Sequence, residues 1–179
     1  EGGYDYANTG YEVGEIPIQY ALTPTGAVTY QVAIDIHPDP EDFHPRLSFC
    51  YNSQQRESAL GYGWNISGLS GITHVAGTIY YDGKSSPLSL NEDKLMLDGI
   101  RLLKTGTNSL QARYPDGNIA LFEAFAQAPF SYVMTSYTNR KGRTIKYDYT
   151  QVDNLPYIRK ILYGEAGSVY NDSIVFTYR

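Results

Sequence analysis

The chain of 179 residues holds one cysteine, Cys50, so no disulfide can close within it and no oxidative framework holds its fold. It has no run of about 18 apolar residues, which leaves nothing to span a membrane as a helix. No long amphipathic helix pattern occurs. Its glycine-rich pieces precede strand-like segments and lack a following helix, so neither a phosphate loop nor a dinucleotide fingerprint is present. No serine sits in a Gly-x-Ser-x-Gly elbow. Basic residues are outnumbered, 14 against 19, and the formal charge of -5 disfavours nucleic-acid backbones and anionic lipid surfaces as partners.

Tyrosine is what the chain has in quantity. Its 18 tyrosines suit pleated, half-exposed surfaces, and its 17 glycines and 9 prolines supply frequent turns. The expected class is all-β, an antiparallel meander of hairpins forming a curved sheet or open sandwich with little helix. The length fits one β domain over residues 15–179 after a flexible leader at 1–14. Because the chain begins at Glu1, a removed secretion signal is a reasonable expectation.

Alternation is strongest from Val28 to Ile36, where Val28, Tyr30, Val32, Ile34 and Ile36 share a face. Shorter strands are expected at Arg46–Asn52, Gly71–Val75, Thr78–Tyr81, Leu88–Leu90, Lys94–Leu97, Arg101–Lys104, Leu110–Tyr114 and Ile119–Phe122. Asp98-Gly99 and Tyr114-Pro115-Asp116-Gly117-Asn118 read as hairpin turns. Glu123–Gln127 reads as a short helical turn stopped by Pro129. A tyrosine-rich meander follows over residues 131–179: Tyr132–Thr138, a turn at Asn139-Arg140-Lys141-Gly142, Arg143–Thr150, Tyr157–Tyr163, a turn at Gly164–Gly167, and Ser173–Tyr178.

The densest pattern is Pro45 to Ile72. Pro45, Leu47, Ser48, Tyr51 and Ser53 lead into a variable loop, and Leu60-Gly61-Tyr62-Gly63-Trp64, Ile66, Ser67-Gly68-Leu69-Ser70 and Ile72 follow it. This pattern resembles the SpvB-type N-terminal region that begins Tc-toxin B components and many Rhs/YD-repeat proteins. The resemblance covers most of residues 26–104, and the 131–179 segment is similar to YD-repeat hairpins. One departure is Thr73-His74, where the family often carries an arginine. The resemblance implies a secreted or cell-surface, toxin-related protein in which successive hairpins extend a β shell. Enzymatic activities of that family reside in separate C-terminal domains, which nothing here resembles.

His37-Pro38-Asp39-Pro40-Glu41-Asp42-Phe43-His44 gathers imidazoles and carboxylates, but its prolines argue for a stiff surface connection whose acids face water. Cys50 lies mid-strand, where a thiol is a small packing group. Asp82, Asp98 and Asp116 each precede glycine and are explained by turns, although paired carboxylates of a glycoside hydrolase remain a third reading. Trp64 reads as an inward anchor that fixes a sheet corner with Leu60, Ile66 and Leu69. The structural residues are thus Pro45, Leu47, Tyr51, Leu60, Gly61, Gly63, Trp64, Gly68 and Ile72. Adjacent Tyr80 and Tyr81 must point to opposite faces of a strand, and the outward ring is the candidate for a ligand.

The expectation is a non-enzymatic structural domain with no cofactor or metal. Its partners would be downstream β hairpins of the same longer polypeptide. The second reading is a carbohydrate- or protein-binding β module.

Overall fold

A computed structural model describes residues 18–55, 57–58, 60–76, 78–82, 84–86, 94–95, 97–125, 131–153 and 155–178. The leader at 1–14 and the strand expected at Leu88–Leu90 lie outside the described residues. The rest is all-β, with every strand pair antiparallel. The described residues fall into two compact units. One comprises those up to Ile36 together with Arg46–Gly68, and the other comprises His37–Pro45 and those from Leu69 onward.

The first unit contains β1 (Ile18–Leu22), β2 (Val28–Ala33), β3 (Ser48–Asn52), β4 (Glu57–Ser58), β5 (Gly61–Tyr62) and β6 (Trp64–Ser67). Four of these form a sheet in the order β1-β2-β3-β6, and β4 pairs with β5. Thr23-Pro24-Thr25-Gly26-Ala27 joins β1 to β2, with Gly26 at φ 80° and the Thr23 amide donating to the Ala27 carbonyl at 2.9 Å. β1 was not foreseen from the sequence, and β2 stops at Ala33, short of the expected Ile36.

The second unit contains β7 (Gly71–Val75), β8 (Thr78–Tyr81), β9 (Lys84–Ser86), β10 (Lys94–Leu95), β11 (Arg101–Gly106), β12 (Ser109–Arg113), β13 (Ile119–Ala124), β14 (Ser131–Thr138), β15 (Thr144–Val152), β16 (Leu155–Ala166) and β17 (Val169–Val175). From β10 to β17 each strand lies beside its neighbours in sequence, and β7 joins at β14, carrying β8 and then β9. Alternation sets the core face. Leu110 and Ala112 of β12, Ala120 and Phe122 of β13, Tyr132 and Met134 of β14, and Ile145 and Tyr147 of β15 are buried, whereas Leu121 between two of them is exposed. The turns at Tyr114–Asn118 and Asn139–Arg143 repeat the β1–β2 form, each with glycine at positive φ in the fourth position. Asp98 and Gly99, at φ 59° and 75°, supply the tight return expected of them.

Three local expectations are corrected. Glu123 and Ala124 are not helical: they continue β13, paired with Val133 and Tyr132, because the sheet offers their backbone groups partners. Gly164 does not open the turn; it lies inside β16 at φ 69°, and the chain reverses at Gly167 and Ser168. The last strand is accordingly Val169–Val175, with Tyr178 beyond it donating from its hydroxyl to the Ile158 carbonyl at 2.6 Å.

Candidate functional site

The first unit's sheet is amphipathic across its whole width. Register places Tyr20, Tyr30, Tyr51 and Trp64 in one row across β1, β2, β3 and β6. Ring centroids step along it at 6.5, 5.9 and 5.3 Å. The row two residues away on the same face is Ile18, Val32, Phe49 and Ile66, and Leu22 faces Val28 on the other side. The opposite face carries Gln19, Gln31, Cys50 and Asn65 in one row, and Ala33, Ser48 and Ser67 in another. A shallow depression of about 420 Å³ over these strands takes in Gln19, Thr29, Gln31, Cys50, Asn52 and Gln55. No histidine or carboxylate lines it.

The motif glycines hold the aromatic row in place. Gly63 sits at φ 80°, where an added Cβ would meet the Tyr51 ring at 2.5 Å and the Asn52 carbonyl oxygen at 3.0 Å. A bare α-carbon is what lets Tyr51 lie over the bend that leads into Trp64. Gly68, at φ 100°, is pressed against the Arg46 carbonyl, and the Leu47 side chain would stand 3.1 Å from its Cβ. Leu47 is buried; Trp64 is half-buried, with its ring against Tyr51. The sequence reads Trp64 as an inward anchor. In the structure the indole is half-buried and packs against Tyr51.

Other motif residues lie in the second unit. Pro45 is buried, and Ile72, 1 % exposed, sits in β7 opposite Tyr132 and Tyr81. Leu60 and Gly61 remain in the first unit, at the turn into β5 and at its first residue. Tyr80 is the outward ring of its pair, and its register neighbours are Thr73 and Ser85. Tyr81 turns inward, where its hydroxyl and that of Tyr114 share a 2.5 Å hydrogen bond and its ring meets Phe122 edge-on. Burial pushes the Tyr114 phenol far above its ordinary range, reinforced by the bond to Tyr81, and burial likewise raises Tyr81, Tyr147 and Tyr149.

The 37–45 segment departs most from expectation. Its acids do not all face water: Asp39 is 4 % exposed. Arg143 donates to both its carboxylate oxygens, at 2.7 and 2.8 Å, and also to the Glu165 carbonyl at 3.1 Å. The Glu41 and Phe43 amides donate to Asp39 as well. Phe43 stacks on Tyr137 at 5.8 Å, and the Tyr163 hydroxyl donates to the His37 carbonyl. Burial would raise the Asp39 pKa, but the Arg143 and amide hydrogen bonds outweigh it and hold the carboxyl below its usual range. Spacing of 104 residues hid this pair from sequence reading.

Among the described residues no group of three His, Cys, Asp or Glu side chains is placed to hold a metal ion. Asp82 accepts from Ser70 Oγ and the Gly71 amide, tying the end of β8 to the start of β7, whereas Asp116 accepts from the Asn118 amide within its turn.

The family model of the Salmonella virulence plasmid 65kDa B protein, SpvB, matches residues 22–140. Among solved structures, the Photorhabdus luminescens Tc holotoxin pore is similar at TM-score 0.64 and 17% identity, over 84% of this chain and 10% of that one. TcdB2-TccC3 is similar at TM-score 0.62 and 15% identity, over 90% of this chain and 11% of that one. The same complex without its hypervariable C-terminal region gives TM-score 0.63 at 16% identity. The chain spans about a tenth of the length of the structures it matches. No curated protein matches it.

Proposed function

This chain belongs to the SpvB family, and from that membership we propose that it is a structural, non-catalytic β domain of a longer toxin-delivery or surface polypeptide, secreted or held at the cell surface. Its work is to start a β shell that later hairpins of the same polypeptide extend. The observation that carries this reading is the order of the second unit: from β10 to β17 the sheet grows one sequence-adjacent strand at a time. β17 ends that series, and among the described residues it pairs with β16 alone. An unpaired strand edge is a template for another strand. Similarity to much longer toxin components, of which this chain spans about a tenth, supports the same reading.

Backbone geometry gives a test. The Phe176 amide donates to the Arg159 carbonyl of the β16 side, so by alternation the Ser173 amide points away from β16. Proline at 173 removes only an outward donor, which an edge strand tolerates. Ser173→Pro should therefore leave the 179-residue chain near wild-type stability and destabilise a longer polypeptide carrying the next hairpins. Equal, small effects in both would refute the shell role.

A further inference from the structure

The apolar face of the β1-β2-β3-β6 sheet is uncovered among the described residues: Ile18, Tyr20 and Leu22 are 48, 79 and 74 % exposed, and Tyr30 is 40 % exposed. Every residue that register assigns to this face is aliphatic or aromatic, and none of them is fully buried. A sheet apolar on one face gains its stability by burying that face against a second layer. We propose that this face is the docking surface for an apolar β-sheet layer contributed by the remainder of the same longer polypeptide. The inference rests on the reading above that such a polypeptide exists.

Three features select that occupant. No charged residue stands between Glu15 and Asp35, so β1 and β2 carry none of the edge charges that keep exposed strands apart, and an apolar layer meets no charge to desolvate there. Neutral sugars fit poorly, because the amide side chains that would bind their hydroxyls, Gln19, Gln31 and Asn65, lie on the opposite face. A second copy would have to hold on this one face at solution concentration, whereas a layer in the same polypeptide gains the effective concentration of its linkage, and the chain spans only about a tenth of the structures it matches.

Hydroxyl-radical footprinting of Tyr20 and Leu22 tests this, in the 179-residue chain and in the longer polypeptide. The expected result is strong oxidation in the short chain and several-fold protection in the long one. Equal oxidation in both overturns the inference, and it does so without touching the shell reading, which is read at β17. Protection that grows with concentration of the short chain, with a doubled sedimentation mass, would make the occupant a second copy. Protection of the short chain by added maltohexaose would make it a sugar site. Either outcome overturns the proposal. As a second variant, Leu22→Glu should leave the short chain's unfolding midpoint unchanged and lower that of the long polypeptide. An unchanged midpoint in both counts against the docked layer.

Discussion

Arg143 grips Asp39 through two parallel hydrogen bonds of 2.7 and 2.8 Å, joining the 37–45 segment to the start of β15 at a point nearly closed to water. A planar guanidinium matches a carboxylate in this way, and lysine cannot reproduce the fork. Breaking one partner of a buried pair leaves the other charge uncompensated, which typically costs about 3–5 kcal/mol. Glu41 stands 3.4 Å from the same guanidinium and compensates part of its charge, so Asp39→Asn should lose an amount toward the lower end of about 3–5 kcal/mol at pH 7 in urea denaturation. A loss below about 1 kcal/mol, the level of an exposed pair, would show that the ion pair does not hold the segment.

The same pair sets a pH dependence. The folded carboxyl titrates below its unfolded value, so its contribution is complete above the unfolded constant of about 3.9 and is lost as pH falls through the folded one. The stability gap between wild type and Asp39→Asn should therefore narrow on acidification below about pH 4. A gap independent of pH down to the acid limit would contradict the assignment.

Glycine substitutions separate backbone strain from crowding. Gly63 and Gly142 have nearly the same φ, 80° and 84°, but an added methyl at 142 meets nothing within 4 Å, whereas at 63 it runs into the Tyr51 ring. Gly142→Ala should cost about 1 kcal/mol from the left-handed conformation alone. Gly63→Ala should cost clearly more, by roughly 1–3 kcal/mol of overpacking. Equal losses in thermal unfolding would mean that the ring gives way freely.

Burial of phenols shows at alkaline pH. Folded Tyr114, Tyr147 and Tyr149 ionise well above the ordinary constant, so their contribution to stability is complete below about pH 10 and fades as pH rises beyond it. Absorbance titration at 295 nm should leave part of the tyrosine signal silent until the chain unfolds. Smooth ionisation of all tyrosines around pH 10 in the folded protein would contradict the packing described.

Trp64→Ala should cost less than the roughly 3–5 kcal/mol typical of a sealed aromatic, because the indole is half-buried. A value of about 2 kcal/mol fits a half-buried ring packed against Tyr51. A loss at the top of the sealed range would show that the ring is covered on both faces.

Much of the fold was legible because it is local. The turn at Tyr114–Asn118 follows from proline and glycine at fixed offsets, and the strands at Gly71–Val75 and Thr78–Tyr81 match their expected bounds. That one of Tyr80 and Tyr81 faces outward followed from strand alternation, but which one did not. What escaped depends on pairing across the chain. The row Tyr20, Tyr30, Tyr51, Trp64 exists only once register is known, since no spacing in the sequence links the four. Asp39 looked like one acid among several in a proline-rich connection, and its burial depends on an arginine that only the fold brings near. Gly164 looked like a turn residue because its positive φ serves a strand interior as readily as a reversal.

Amide hydrogen exchange of β17, read residue by residue in the 179-residue chain and in the longer polypeptide, tests the shell role most directly. The account predicts that the outward amides of Asn171, Ser173 and Val175 exchange fast in the short chain and slow sharply in the long one, while the amides facing β16 change little. Fast exchange at those three positions in both would contradict it, because the sheet would then end at β17.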